Sequence, residues 1–299
     1  MQPITRLFAG TASQVLAQKI ANECGQPLSH LQVQRFSDGE LRPQLNAQIQ
    51  GAHVGLIQAT YPPADHLMEL LLTIDAARRA GADYITAIIP YLGYMRQDWA
   101  HQVSSSVGAQ LVARLLTSAG LNRLITCDLH APHIVDFFES SVKHLTMASV
   151  FIPYIDSLQL AQLTFVAPDA GSQVRTQCYA DHFQAPLVAV DKRRNAYNQV
   201  IAVQLQGNVQ GADAVIIDDI VDTGSTICTV AAQLQSQGAR TVRAFCTHPV
   251  LSGRAYELLA SSALEEIVVS DTIPLRKSGS KLKVLSAATL LAQALQQEN

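Results

Sequence analysis

The chain has 299 residues, of which 48% are hydrophobic and 15% are charged, and its formal net charge is -3. This length is enough for two domains of ordinary size. Without an excess of basic residues the composition argues against a nucleic-acid-binding protein, and no run of like charges indicates an extended tail. Any phosphate binding must therefore come from a few local cations and backbone N–H groups.

Cysteine usage and the hydrophobic pattern indicate the compartment. The five cysteines are scattered and form no CxxC pair, so neither a disulfide framework nor a zinc site is indicated (Cys24, Cys127, Cys178, Cys228, Cys246). The first residues, MQPITRLFAG, lack the basic-then-apolar pattern of a signal peptide, and no apolar run approaches membrane-spanning length. We therefore expect a globular, cytoplasmic protein without a membrane segment.

Short apolar segments typical of strands alternate with segments of helical apolar spacing along the chain. In chain order, strands are predicted at residues 54–60, 85–92, 124–129, 163–168, 187–190, 214–217, 241–246 and 267–269. Helices are predicted at residues 13–24, 64–80, 107–119, 227–237 and 287–297. This alternation predicts an α/β fold of mostly parallel sheets flanked by helices, with right-handed crossovers.

Two halves of similar plan predict two domains. Each half has strands that end in polar loops, which indicates a duplication, although no residue-level repeat is visible. The boundary is predicted near residues 146–149, which gives domains of residues 1–147 and 148–299, with the last helix able to pack back on the first domain. Ligands of open parallel sheets bind beyond the carboxyl ends of the strands, where these polar loops are expected.

The first polar loop reads Phe36-Ser37-Asp38-Gly39-Glu40. Phe36 can stack on a nucleobase, and Asp38 or Glu40 can accept a hydrogen bond from an exocyclic amine. Taken alone, a turn built on Asp-Gly explains the same residues better.

Two further polar segments belong to the first half: residues 96–98 follow a predicted strand, and residues 128–130 lie at the end of another. Arg96 offers a planar fork that suits a polyphosphate, with a surface salt bridge as an equal alternative. His130 can lie beside magnesium or hold a phosphate oxygen. Magnesium prefers oxygen ligands, however, and a structural histidine is the more common outcome for an isolated one.

The second half repeats this arrangement. Asp169 is the first residue of segment 169–172, in which an acid and small residues precede a predicted helix. Such a segment suits a magnesium-bound pyrophosphate, and a helix cap is an equal alternative. Residues 191–194 (DKRR) are a dense cationic cluster before the polar stretch 195–198. A solvated charge run is the default interpretation, but the position after a strand favours a mobile loop whose cations close over a phosphoryl group.

Residues 214–226, AVIIDDIVDTGST, form the most informative segment. Asp218 and Asp219 follow a predicted apolar strand, and a turn of small residues then leads into a predicted helix. Backbone N–H groups and hydroxyls of residues 222–226 can hold a phosphate at the positive end of that helix, while the two acids accept hydrogen bonds from ribose hydroxyls. Helix capping alone also uses such residues.

These segments together resemble the ribose-phosphate diphosphokinases, the phosphoribosyl-pyrophosphate (PRPP) synthetases. The resemblance runs from about residue 5 to about residue 285, and it rests on nine stretches in the same order: QRFSDGE, ELLLTIDAARRAGA, IPYLGYMRQD, CDLHA, APDAG, DKRR, VIIDDIVDTGST, THPVLSG and VVSDTIPL. Segment 214–226 by itself is shared with type I phosphoribosyltransferases, which use PRPP rather than make it.

The resemblance implies a fold of two phosphoribosyltransferase-like domains, an ATP-side domain followed by a ribose 5-phosphate domain. It implies transfer of a diphosphoryl group from ATP to ribose 5-phosphate, with Mg²⁺ as cofactor and AMP and PRPP as products. It also implies at least a homodimer, with adenine held by Phe36, Asp38 and Glu40 of a neighbouring subunit.

The remaining roles carry over residue by residue onto the matching positions of this sequence. Arg96 and Gln97 would hold the nucleotide, and His130 and Asp169 would organise magnesium and the diphosphoryl group. Lys192 and Arg194 would stabilise the transition state. The ribose hydroxyls and the 5-phosphate would be bound by Asp218, Asp219, Asp222, Thr223, Gly224, Ser225 and Thr226.

Two departures from the family pattern alter these expectations. The family carries a basic flag segment after the Arg-Gln-Asp motif, whereas residues 99–106 of this sequence, WAHQVSSS, contain no lysine or arginine. ATP binding is therefore expected to weaken unless Trp99 compensates by stacking. The family's usual C-terminal regulatory segment has no counterpart here, so neither phosphate activation nor allosteric ADP inhibition is expected.

Two other functions compete with an active synthetase. A catalytically weak, synthetase-associated regulatory homologue fits the loss of the flag cations, but it has no need of Lys192, Arg194, His130 and Asp169. A type I phosphoribosyltransferase would share segment 214–226 but not the FSDGE and RQD motifs.

Overall fold

A computed structural model describes most of the chain, namely residues 5–100, 104–194 and 200–297. The chain divides into two compact units. The first comprises residues 1–147, 272–274 and 286–299, and the second comprises residues 148–271 and 275–285. The main transition thus falls between Met147 and Ala148. Each unit has a sheet flanked by helices, which confirms the predicted α/β fold.

The first unit is built on a parallel sheet. Its strands are β1 (Arg6–Ala9), β2 (Leu28–Ser29), β3 (Leu31–Arg35), β4 (Leu41–Leu45), β5 (His53–Ile57), β6 (Tyr84–Ile89), β7 (Arg123–Cys127) and β8 (Ser141–Leu145). Its helices include α1 (Gln14–Cys24), α2 (Asp65–Arg79), α3 (Gly108–Ala119) and a 3-10 helix, Pro132–Phe137. Six strands pair in the order β2-β1-β5-β6-β7-β8, all in parallel, while β3 and β4 form a separate antiparallel hairpin.

Burial explains why these apolar runs became strands of a parallel sheet. Every residue of β5 and of β7 is buried, as expected when helices cover both faces of a sheet. Phe8, Ile74 and Leu116 are fully buried in the resulting core. Helices α1 and α3 are followed by Gly25 and Gly120, whose φ values of 64° and 115° lie in the left-handed region that glycine adopts without strain.

The second unit has a larger sheet. Its elements are α4 (Ala148–Ser157), β9 (Leu163–Ala167), α5 (Gln173–Phe183), β10 (Leu187–Arg194), β11 (Val200–Gln206), β12 (Asp213–Val221), α6 (Ser225–Ser236), β13 (Thr241–Pro249), α7 (Ala255–Ser261), β14 (Glu266–Ser270) and β15 (Leu282–Leu285). The seven strands pair in the order β11-β10-β9-β12-β13-β14-β15. All neighbours are parallel except β10 and β11, which are antiparallel.

The last helix, α8 (Ala288–Gln296), belongs to the first unit. It packs against α1, where Cys24 Sγ lies 4.0 Å from the carbonyl oxygen of Ala292. Lys143 Nζ donates to Gln297 Oε1 at 3.2 Å just after this helix. In the described part of the chain, no helix combines the length and the apolar character needed to cross a membrane.

Strand β10 corrects one expectation from the sequence. Residues 191–194 were expected to form a mobile loop, but they continue β10 and pair with β11, with Lys192 opposite Val203 and Arg194 opposite Val200. The apolar run ends at Val190, so hydrophobicity alone gives too short a strand. The antiparallel partner supplies backbone hydrogen bonds that extend the strand through charged residues. The stretch 195–198 lies outside the described residues.

A buried carboxylate fixes the amino end of β12, at the edge of the sheet opposite segment 222–226. Only 1% of the Asp213 side chain is exposed, and it pairs with Arg240. Thr241 Oγ1 donates to Asp213 Oδ1 at 2.9 Å, and the N–H of Gln162 donates to Oδ2 at 3.3 Å. Burial raises the pKa of Asp213, but the hydrogen bonds from Arg240, Thr241 and Gln162 outweigh it and lower the pKa from 3.8 to about 2.

We expect Asp213→Asn to lower the free energy of unfolding at neutral pH by about 2 kcal/mol. Because the folded-state pKa of Asp213 lies below the unfolded one, the contribution is complete above about pH 4 and is lost as the pH falls towards 2. Urea unfolding of both proteins at neutral pH and at successively lower pH measures this. A difference in stability that stays constant down to the lowest pH would contradict the assignment.

Candidate functional site

Three acids gather at the carboxyl edge of the seven-stranded sheet. Asp169 lies two residues beyond the end of β9, and Asp218 and Asp219 belong to the last part of β12, the parallel neighbour of β9. Asp219 is buried, and its N–H donates to Asp218 Oδ1 at 2.9 Å. We call Asp169, Asp218 and Asp219 the acidic cluster. Two of its members are fixed by the strand ladder, which gives them a rigid position.

Arg175, in the first turn of α5, faces the acidic cluster. Its Nη1 lies 3.5 Å from Asp219 Oδ1, and only 16% of its side chain is exposed. Burial raises the pKa of Asp218 well above its usual value; the carboxylates of Asp219 and Asp169 raise it further, whereas Arg175 lowers it. The arginine therefore offsets part of the repulsion among the three carboxylates.

Arg175 was not among the site residues predicted from the sequence. The available signal was its place six residues after Asp169, in a helix that begins beside a candidate diphosphoryl segment. That spacing alone does not show which strand the helix covers, and the contact with Asp219 depends on the packing of α5 beside β12.

The loop after β12 has the form of a phosphate site. We call residues 222–226 the phosphate loop. Gly224 has a φ of 77°, a left-handed conformation that favours glycine, and α6 begins at the next residue without a side-chain cap. Thr223 and Ser225 are exposed, and their hydroxyl oxygens lie 2.9 Å apart. Ser225 and Thr226 form the first turn of α6, so two of the predicted loop residues are helical.

The beginning of the phosphate loop is anchored to the segment after β13. Ser252 Oγ donates to Asp222 Oδ1, and the N–H of Ser252 donates to the carbonyl oxygen of Asp222 at 3.1 Å. The N–H of Leu251 donates to the carbonyl oxygen of Val221 at 3.0 Å. Asp222 thus holds the beginning of the loop in place.

Asp169 takes part in a helix start. The N–H of Ser172 donates to Asp169 Oδ1 at 3.1 Å, and Ser172 Oγ donates to the carbonyl oxygen of Asp169 at 2.8 Å. These bonds close the turn before α5, whose N-cap residue, Ser172, makes no side-chain cap hydrogen bond, so the cap that the sequence offered as an alternative is not formed. The Asp169 carboxylate retains acceptor sites, so the bond to Ser172 leaves a metal-binding role compatible with the geometry.

The first unit presents Phe36, Asp38 and Glu40 at the tip of the β3–β4 hairpin. All three are exposed, with Phe36 at 41%. The N–H of Phe36 donates to the carbonyl oxygen of Glu40 at 2.9 Å, and the N–H of Glu40 donates to Asp38 Oδ1 at 3.0 Å. The Asp-Gly turn therefore exists, and it projects an aromatic ring and two acids into solvent.

Arg96 and Gln97 follow β6 at the carboxyl edge of the six-stranded sheet, and both are exposed. The N–H of Ala109 donates to the carbonyl oxygen of Gln97 at 3.2 Å. A Cβ on Gly108 would lie 2.7 Å from Gln97 Oε1, so the absence of a side chain there lets Gln97 pack against the start of α3.

His130 follows β7, the neighbour of β6, and is exposed at the same edge. The preceding residues hold the loop: Asp128 Oδ2 accepts the N–H of Met147 at 3.0 Å, and His144 Nε2 accepts the N–H of Leu129 at 2.9 Å. Asp128 and His144 thus act structurally, while His130 is presented at the surface.

Lys192 and Arg194 lie on the last residues of β10, at the carboxyl end of a strand adjacent to β9. Their side chains lie outside the described part of the structure. Among the described residues, no group of three or more His, Cys, Asp or Glu side chains is arranged to hold a metal ion by itself. The acidic cluster nevertheless supplies oxygen donors, which suit magnesium when substrate phosphates and water provide the remaining ligands.

Comparisons with known proteins decide the family. Residues 5–120 match the model for the N-terminal domain of ribose phosphate pyrophosphokinase, and residues 194–298 match the phosphoribosyl synthetase-associated domain. Ribose-phosphate pyrophosphokinases from Porphyromonas gingivalis and Wolinella succinogenes are each 43% identical over 97% of this chain, covering 93% and 94% of their own lengths. The chain belongs to the ribose-phosphate pyrophosphokinase family.

A solved structure agrees with this membership. Phosphoribosylpyrophosphate synthetase from Mycobacterium smegmatis is 32% identical, with a TM-score of 0.93 over 99% of this chain and 98% of its own. The resemblance read from the nine sequence stretches is thus confirmed. The first family region contains the hairpin tip and Arg96, and the second contains Asp218, Asp219 and the phosphate loop. His130, Asp169 and Lys192 fall between the two matched regions.

Proposed function

We propose that this chain is a ribose-phosphate pyrophosphokinase that transfers the β,γ-diphosphoryl group of ATP to the C1 hydroxyl of ribose 5-phosphate, giving AMP and PRPP. The observation that carries the proposal is the acidic cluster beside a phosphate loop that is anchored through Asp222, in a member of this family.

Ribose 5-phosphate binds at the carboxyl edge of the second unit's sheet. The 5-phosphate lies at the start of α6, where backbone N–H groups of the phosphate loop and the hydroxyls of Thr223, Ser225 and Thr226 donate to it. Asp218 and Asp219 accept hydrogen bonds from the ribose hydroxyls. Gly224 lets the backbone turn into the helix at the phosphate.

ATP is held by residues of the first unit. Arg96 and Gln97 bind the nucleotide at the carboxyl edge of the six-stranded sheet. Phe36, Asp38 and Glu40 contact the adenine of a neighbouring subunit, and their exposure at the hairpin tip supports a role between subunits. The working form is accordingly a homo-oligomer of at least two chains, in the cytoplasm that the cysteine pattern indicates.

The reaction forms one bond and breaks one bond at the β-phosphorus. The C1 hydroxyl oxygen of ribose 5-phosphate attacks the β-phosphorus, the bond to the α-phosphate oxygen breaks, and AMP departs with that oxygen while the hydroxyl proton is released. Lys192 and Arg194 donate to the transferring group as its negative charge redistributes. Positioning and charge neutralisation account for most of the acceleration.

Mg²⁺ is the proposed cofactor. It would neutralise charge on the diphosphoryl group, and His130 and Asp169 would hold it directly or through its water ligands. Burial and, after it, the neighbouring carboxylates of Asp219 and Asp169 raise the pKa of Asp218, and a bound cation would favour its ionised form.

The proposal is tested by incubating the purified chain with ATP, Mg²⁺ and ribose 5-phosphate and measuring AMP and PRPP. Stoichiometric formation of both is expected. No turnover, with ATP and ribose 5-phosphate still bound, would support an inactive regulatory homologue instead. Consumption of PRPP with a nucleobase, without use of ATP, would support a phosphoribosyltransferase.

A further inference from the structure

Trp99 is the only tryptophan of the chain, and 64% of it is exposed. It lies in the loop after β6, three residues beyond Arg96, at the carboxyl edge of the six-stranded sheet. A large apolar ring gains little burial at such a position, because solvent stays in contact with most of its surface. Carboxyl edges of open parallel sheets are where ligands bind.

The Trp99 ring has a defined neighbour. Its centroid lies 4.9 Å from that of His133, at an interplanar angle of 42°. His133 belongs to the 3-10 helix after β7, so loops following two adjacent strands bring the rings together. His133 is itself held between the Phe137 ring, 5.7 Å away edge-on, and Asp98, whose Oδ2 lies 3.4 Å from His133 Nε2. We call Trp99 and His133 the aromatic platform.

We propose that the aromatic platform stacks on the purine base of the nucleotide substrate, which makes Trp99 an ATP-binding residue of this chain. This inference rests on the proposed function, because it takes the nucleotide to be ATP. A base stacks on any aromatic face with useful affinity and needs no charge. The platform therefore provides an uncharged contact in segment 99–106, which contains no lysine or arginine.

Stacking on Trp99 also differs from the contacts proposed for Arg96 and Gln97. Those side chains have polar groups that suit phosphate and sugar oxygens, whereas an indole ring offers only its flat face and one N–H donor. Ligand binding at the platform should therefore depend on the base of the ligand and not on its phosphate groups. This difference provides the readout of the test.

Because Trp99 is the only indole, the intrinsic fluorescence of the protein reports on the platform directly. We expect ATP and AMP to quench it in a saturable way, while ribose 5-phosphate and inorganic pyrophosphate leave it unchanged. The indole is excited where adenine does not absorb, and a tryptophan analogue free in solution is the control for absorption by the ligand. Equal quenching by pyrophosphate, or no quenching by ATP and AMP, would overturn the proposal.

Kinetic variants test the same contact in the working enzyme. Trp99→Ala should raise the KM for ATP about tenfold while kcat and the KM for ribose 5-phosphate change by less than about twofold. Trp99→Phe should retain most of the affinity for ATP, because it keeps an aromatic face. For the same reason His133→Phe should have a lower KM for ATP than His133→Ala. Val284→Ala, which trims an exposed apolar side chain of the second unit, is the matched control.

The aromatic contact and the proposed function can be contradicted independently of each other. Formation of AMP and PRPP without ligand-dependent quenching, or an unchanged KM for ATP in Trp99→Ala, would overturn the aromatic contact and leave the proposed function standing. Quenching by ATP without any turnover would support the contact and remove the proposed function.

Discussion

Replacing Lys192 by alanine is expected to lower kcat by about 10³-fold, the scale seen when a cation that stabilises a transferring phosphoryl group is removed. Lys192 lies at the carboxyl end of β10, next to β9 and the Asp169 segment, so its backbone is at the edge that carries the acidic cluster. Initial rates of AMP formation at saturating ATP and ribose 5-phosphate measure the effect.

The control for this change is Arg193→Ala, which removes the neighbouring cation, one not assigned a role. We expect it to retain most of the activity, and both variants should keep the wild-type urea midpoint. A Lys192→Ala enzyme with near-normal kcat would contradict the transition-state role. Equal losses in the two variants would indicate a general dependence on positive charge in β10.

Arg175→Ala is expected to lower kcat/KM for ribose 5-phosphate by about 100-fold, equivalent to about 2.7 kcal/mol, because one partner of a largely buried ion pair is lost. The contact of 3.5 Å with Asp219 Oδ1 fixes a carboxylate that is proposed to bind the ribose. Without the arginine, repulsion within the acidic cluster is less compensated, and Asp218 becomes harder to ionise. Steady-state rates at saturating ATP measure the change.

Arg243→Ala provides a matched control, because the Arg243 side chain is 15% exposed, close to the 16% of Arg175, and also pairs with acids, Glu265 and Glu266, away from the phosphate loop. It should lower stability without a selective effect on ribose 5-phosphate. Arg175→Lys, which keeps the charge but not the planar fork, should recover part of the loss. If both alanine variants lose activity in proportion to stability, Arg175 has a structural role only.

The helices could be predicted from the sequence because apolar periodicity indicates where a helix runs and helix-stop signals indicate where it ends. The predicted helices at residues 13–24, 107–119 and 287–297 differ from α1, α3 and α8 by a residue at one or both ends. Strands were harder to delimit. The predicted strand 214–217 extends to Val221 in β12, because β13 continues the ladder and pairs His248 with Ile220. An apolar pattern shows where a strand is buried, but it does not show which neighbouring strand forms backbone hydrogen bonds with it or how far that pairing extends.

Seven strands of the described residues were not predicted, namely β1, β2, β3, β4, β8, β11 and β15. Strand β1 is only four residues long although three of them are buried, whereas the β3–β4 hairpin has only partly or fully exposed strand residues. Such strands depend on pairing rather than on an apolar face, so their sequences carry a weak signal. The same limit explains why 191–194 was interpreted as a loop.

The candidate site could be predicted only in part, for a comparable reason. The order of acids and small residues in segment 214–226 predicts a phosphate site from the sequence alone. The roles of Ser252 and Arg175 depend on where distant segments return, with Ser252 bonded to Asp222 and Arg175 beside Asp219. The pairing of Trp99 with His133 likewise requires that β6 and β7 be neighbours.

The return of α8 to the first unit constrains the order in which the chain can fold during synthesis. Cys24 and Ala292, which meet where α1 and α8 pack, are 268 residues apart in sequence. The first unit emerges from the ribosome early, yet the last piece of its surface appears only after the second unit has been made. Because domains otherwise complete themselves from the amino terminus onwards, the nascent first unit must wait with one face of α1, the face that α8 covers, exposed to solvent. Contacts of such long range also form slowly, which makes α8 docking a candidate for the last folding step.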